Sequence, residues 1–240
     1  MQSFERFDSS DQSRETGEMI NATLDLPAPR QEMLSDGSQA VVSGDPASWE
    51  GVVHRQGDNS QGYLNTCGVV SCEQIIKRFG IDVTESQLLD YAITQGYCDV
   101  SGQGYVSLAD QVGILHDYGV PCHTDHNGTL ESLADDIENG CAVALAVNSA
   151  SLYGYAGWEG TDHMIVPTGV ARDSQSGEIK GFFYNDSLTG ESAYVTAELL
   201  QSAWVEQGGD SIVTEGVDMR DVERTLGSWI WTSAQGWIYV

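Results

Sequence analysis

A chain of 240 residues, 40% of them hydrophobic, is long enough for one large domain whose core needs no disulfide staples. Its 36 acidic and 10 basic residues give a formal net charge of -26, a surface that repels nucleic acid and anionic lipid and leans towards cationic partners. No run approaches the length of a membrane span, and the N-terminus lacks the basic and apolar regions of a secretory signal, so the expected location is the cytoplasm or one reached by a signal-peptide-independent route.

In chain order, residues 1 to about 46 are rich in Ser, Asp, Glu and Gln, with little periodicity. They read as a flexible acidic tail or linker, with one short helix near "QEMLSDG". A pro-segment covering a cleft is the functional alternative. A single domain is expected over 47–240. Its first half is helical: Val69, Cys72, Ile75, Ile76 and Phe79 recur at helical spacing and Gly80 ends the run. "TESQLLDYAITQG" opens on a capping box, Thr84 to Gln87, and "SLADQVGILHDYG" and "TLESLADDIENG" repeat the scheme.

The second half switches to strands. "CAVALAVN", "HMIVPTGVAR", "GEIKGFFYND" and "ESAYVT" are apolar or alternating runs, and "DSQSGE" turns a hairpin between two of them. A helix, "AELLQSAWVEQ", follows, then an acidic, glycine-containing loop and an aromatic terminal stretch. Trp229, Trp231 and Trp237 there read as a strand core, with a partner-binding surface as the alternative. Helices first and strands later argue for an α+β fold of two lobes.

The five cysteines, Cys67, Cys72, Cys98, Cys122 and Cys141, form no metal-type CxxC pair, and their odd number leaves at least one free thiol. At about 100° per residue, Cys72 falls within the apolar stripe of its helix, and Cys67 lies about 140° away. Cys67 also occupies the first turn, after the cap-capable Asn65 and Thr66, where unpaired N–H groups and the helix dipole favour an anion. Cys72 is therefore a core residue and Cys67 the candidate nucleophile. Gly68 would let a substrate backbone approach closely, and the Gln61 amide could join the Cys67 N–H as an oxyanion donor.

Of the five histidines, His54 lies in the entry segment, His116 on a helix beside polar residues, and His123 and His126 in a loop, "PCHTDHNG". His163 opens an apolar strand after a glycine-rich loop. A hairpin from there would bring Asn185 or Asp186 beside its imidazole to fix the tautomer. "CHTDH" offers Cys122, His123, Asp125 and His126 as a metal patch, but four ligands from five consecutive positions make cramped geometry. No metal or cofactor is expected.

The order Gln61, Cys67, His163, Asp186 resembles the papain-like cysteine peptidases, in "QGYLNTCG" and "DHMIV". "YNDSLTG" and the helix ending in Trp, "AELLQSAW", are similar to the bacteriocin-processing (double-glycine leader) peptidases and their stand-alone relatives. The resemblance covers roughly Trp49 to Val205. It implies a helical lobe carrying the Cys helix packed against an antiparallel β-sheet lobe. It also implies catalytic roles for Cys67, His163 and Asp186, an oxyanion role for Gln61, and a protein or peptide substrate. No transporter domain is expected to follow, and Asn185 competes with Asp186 for the third place. The same machinery serves deamidases and transglutaminases, and a non-catalytic peptide-binding module could keep the same cleft. Only two basic residues, Lys77 and Lys180, are lysines; a lineage-wide acidic bias explains this, and an exported effector or toxin domain is the alternative.

Overall fold

The computed structural model describes residues 22–155, 160–215, 229–232 and 236–239. In chain order these form β1 (Arg30–Met33), β2 (Gln39–Gly44), α1 (Pro46–Glu50), α2 (Cys67–Arg78), α3 (Glu85–Gln95), β3 (Cys98–Asp99), β4 (Tyr105–Val106), α4 (Leu108–Asp117), β5 (Cys122–Asp125), α5 (Leu130–Glu138) and β6 (Val143–Val147). Then come α6 (Ser149–Tyr153), β7 (His163–Asp173), β8 (Ile179–Asp186), β9 (Glu191–Thr196), α7 (Ala197–Ala203), β10 (Ser211–Thr214) and the terminal pair β11 (Trp229–Thr232) and β12 (Gly236–Tyr239). The fold is α+β. None of the described helices is long and apolar enough to cross a membrane.

Eight strands make one antiparallel sheet in the order β1-β2-β7-β6-β10-β5, with β8 and β9 branching from β7. β7 is the hub: β8 runs along one edge, while β6 and β2 share the other, pairing with its first and second halves. Pro167 sits inside this strand, where it can donate no ladder bond. The β7–β8 register shifts between Pro167 and Gly169, a bulge that accommodates it.

Side chains alternate across the sheet as period two requires. Ala144, Ala146, Met164 and Val166 pack with α2, α3 and α4, while Val143, Leu145, Val147 and Ile165 pack with α5 and α7 on the other face. α5 therefore lies on the far face from the other helices of the first half. α2 is enclosed on nearly every side. Its apolar stripe is buried as expected, and so are Ser71, Glu73 and Gln74. Polar groups at that depth require partners: Glu73 accepts from Lys77 Nζ at 2.6 Å and Gln74 Oε1 accepts from Asn185 Nδ2 at 2.8 Å, while the Ser71 hydroxyl has no hydrogen-bond partner among the described residues.

Three expectations need correction. Residues 30–44 are not a tail, because β2 pairs with β7 and β1 with β2. Further upstream, Leu24 N–H donates to Gly140 and Thr214 Oγ1 donates to the Ala22 carbonyl, so the domain begins no later than residue 22. "QEMLSDG" is the end of a strand and a turn rather than a helix; its apolar side chains fall at positions that suit an edge strand, with Met33 70% exposed. "CHTDH", read as a loop, is mostly the strand β5, paired with β10. Residues 1–21, the rest of the expected tail, and the side chains of Trp229, Trp231 and Trp237 lie outside the described residues.

All three helix caps foreseen as Ser or Thr form capping boxes, at Thr84, Ser107 and Thr129. Thr84→Ala removes one half of the α3 box, so chemical denaturation should show a loss of about 1 kcal/mol in unfolding free energy. A change near zero would mean that tertiary packing alone holds that helix end.

Candidate active site

The site forms where the N-terminus of α2 meets the first residue of β7. Cys67 opens the helix and His163 opens the strand, which sets the thiol beside the imidazole, close enough to act on its protonation. The His163 Nε2–H donates to Asp186 Oδ1 at 2.9 Å, which leaves Nδ1 for the thiol. Asp186 stands opposite Ile165, two residues along β7 from His163, so the two share a face of the sheet. The adjacent Asn185 must face the other way. There its amide donates to the Trp49 carbonyl and to Gln74, and its oxygen accepts from Ser192. Of the two candidates for the third position, the structure brings Asp186 to the imidazole and gives Asn185 to the core.

Burial of Asp186 works against its charge, yet hydrogen bonds from His163 and from the Tyr153 hydroxyl (2.7 Å to Oδ2) hold its carboxyl below the usual range. The Leu188 N–H adds a third bond at 2.8 Å. Burial likewise opposes a charge on His163, but Asp186 and Cys67 outweigh it and push the imidazole up to about 9. His163 is the histidine built to hold a proton beside a thiol. Tyr153, on α6, escaped notice in the sequence because "SLYGY" carries no signal of its contact with a strand end more than thirty residues away.

The other histidines have other partners. His54 binds Glu73 (2.8 Å), His116 the Cys122 carbonyl (2.8 Å), His123 Glu215 (2.6 Å) and His126 Asp210 (2.7 Å). Along β5, Cys122 is buried and His123 exposed, on opposite faces, and no group of three metal-capable side chains converges among the described residues. All five cysteines are free. Cys72 is 1% exposed, and burial pushes its thiol well above the ordinary range.

Gln61 does not join the set. It is exposed, and its amide donates to Asp90 on α3 at 3.1 Å, away from the cleft. The expected oxyanion role is corrected accordingly: the donors at hand are the first-turn N–H groups of α2. No side chain caps them, because the Thr66 hydroxyl is turned to Glu85 instead. Gly68 lines the cleft beside Cys67, and packing supplies a further reason for glycine there. A Cβ there would stand 2.6 Å from Val106 Cγ2 and 2.9 Å from Gln111 Nε2, so glycine is required by the packing of β4 and α4 against the helix start.

Beside these residues lies a cleft of about 460 Å³, lined by Cys67, His163, Met164, Gln111, Asp162 and Asp210 among others. A thiol at a helix N-terminus, a buried imidazole, its carboxylate and an adjoining cleft are the parts that nucleophilic acyl chemistry requires.

The profile of the peptidase C39-like family matches residues 39–212. A crystal structure described as that of a C39-like peptidase from Bacillus anthracis is similar at a TM-score of 0.49 and 16% identity, over 69% of this chain and 94% of the other. No curated protein matches. The chain belongs to the peptidase C39-like family of cysteine peptidases.

Proposed function

We propose that this protein hydrolyses peptide bonds, with Cys67 as nucleophile, His163 as acid and base, and Asp186 as the group that orients and charges the imidazole. The observation that carries this reading is the His163 imidazole held by a hydrogen bond to the buried Asp186, with the Cys67 thiol beside the same ring. The Cys67 proton passes to His163, and the sulfur attacks the scissile carbonyl carbon. The resulting oxyanion accepts hydrogen bonds from the first-turn N–H groups of α2. Collapse of the tetrahedral intermediate breaks the C–N bond, and His163 gives its proton to the leaving amine. Water, deprotonated by His163, then attacks the thioester carbonyl; the proton returns to sulfur as the acid product leaves. Substrates are peptides or proteins. Asp162 and Asp210 in the cleft, with the net charge of -26, favour basic ones.

A peptide library made by digesting a proteome tests the activity without a known substrate. Incubation with the protein should create new N-termini read by mass spectrometry. Cys67→Ala should abolish them and Cys72→Ala should spare them at temperatures where both fold. Equal loss in both variants would refute Cys67 as nucleophile, and glutamine-to-glutamate conversion without new termini would make the protein a deamidase.

Gln61→Ala should change kcat/KM by less than about threefold, since its amide is engaged with Asp90. Loss of a working oxyanion donor typically costs about 100-fold or more, so a fall of that size would mean that Gln61 leaves Asp90 and serves the transition state.

A further inference from the structure

Among the described residues, two carboxylates are buried in the helical layer without taking part in the mechanism above: Glu73 and Glu85, each 1% exposed. Glu73 faces Lys77 and His54, an ordinary arrangement of compensating charge. Glu85 is different. The donors within hydrogen-bond distance of it are neutral, and all belong to the segment that leads into Cys67. Oε1 accepts from Gly57 N (3.0 Å), Asn59 Nδ2 (2.8 Å) and Thr66 Oγ1 (2.7 Å); Oε2 accepts from Gly57 N (3.1 Å) and Asp58 N (3.0 Å). The cation nearest to hand, His54 Nδ1, is 3.9 Å away and is bonded elsewhere. A carboxylate is tolerated at this depth only where donors replace its water. Here one carboxylate gathers a loop of ten residues into a single shape.

That loop ends at the nucleophile. Asn59 closes it from within, donating to the Tyr63 carbonyl and accepting from the Tyr63 N–H. Thr66, wholly buried, immediately precedes Cys67 and occupies the cap position of α2, yet makes no capping bond because its hydroxyl donates to Glu85. We infer that Glu85 is a positioning residue for the nucleophile: through the Thr66 hydroxyl it fixes the backbone from which Cys67 projects and keeps the first turn of α2 open to substrate. Fixing a reacting atom to within a fraction of an ångström is what such a support accomplishes, and misplacement by about 1 Å can cost about 100-fold in rate. This inference rests on the reading of Cys67 as an activated thiol.

The test is the rate of iodoacetamide alkylation at Cys67, read by peptide mass spectrometry on the full chain, well below the thermal midpoint of each variant. Glu85→Gln and Thr66→Val should each slow it by about tenfold or more. The double variant should be no slower than the worse single one, because both changes break the same link. Thr66→Ser, which keeps the hydroxyl, should stay within about twofold of the parent. Thr84→Ala weakens the same end of α3 without touching the link, so it should leave the rate unchanged; a merely structural role for Glu85 would make Glu85→Gln behave like it. If Glu85→Gln does not fold, Thr66→Val alone decides. A parent-like rate in folded Thr66→Val, or independent, multiplying effects in the double variant, would overturn the inference and leave the nucleophile assignment intact. Labelling of the parent Cys67 that is indifferent to His163→Ala would overturn both.

Discussion

An ionised carboxylate in a buried place is the constraint around which this site is built. Asp186 ends β8 almost fully enclosed, where losing water penalises its charge. The His163 N–H, the Tyr153 hydroxyl and the Leu188 N–H replace that water. With its charge secured, Asp186 makes the imidazolium form of His163 favourable despite burial, and a charged imidazole is the natural neighbour of a thiolate. The strand pairing of β7 with β8 delivers this geometry, and the closing turn of β8 contributes the Leu188 N–H from the backbone itself.

The same logic runs through α2. A helix that carries Cys67 into the middle of a domain is enclosed on faces that an ordinary amphipathic helix leaves in water. Its polar residues therefore need protein partners, and those partners join the helix to the rest of the structure. Gln74 ties it to β8 through Asn185, Glu73 to the preceding segment through His54, and Thr66 to α3 through Glu85. These links meet the neighbourhood of Cys67 from several directions. Neighbouring residues of one strand, Asn185 and Asp186, thus split between holding the helix and charging the imidazole.

Much of this was legible in the residues themselves. Capping boxes at Thr84, Ser107 and Thr129 are local chemistry, and apolar periodicity marks α2, β6 and β7 because each has a buried face. The helical phase sets Cys67 apart from Cys72, yet the structure buries both, at 8% and 1% exposure, within one core cluster, since α2 is enclosed beyond its apolar stripe. Asp186 and Asn185 could not be told apart, since the choice depends on which face of β8 meets the imidazole, and that is a matter of register. β1, β5 and β10 were missed for a different reason: four-residue strands carry too few alternations to stand out, and here they hold Arg, His, Asp and Ser. Gln61 sat at a plausible distance along the chain, but its amide follows Asp90, a partner supplied by another helix. The burial of Glu85 was invisible because a Glu after a capping Thr looks like an ordinary exposed first-turn acid.

The most direct test of the account is an NMR titration of the His163 imidazole in the intact protein, with labelled histidine and assignment by His163→Ala. Asp186 and Cys67 raise this group, so it should keep its proton through neutral pH and release it at about 9. Asp186→Asn removes the negative charge and should move the midpoint downwards. A midpoint near the ordinary histidine value of about 6.5, unmoved by Asp186→Asn, would contradict the claim that this carboxylate charges the imidazole beside Cys67.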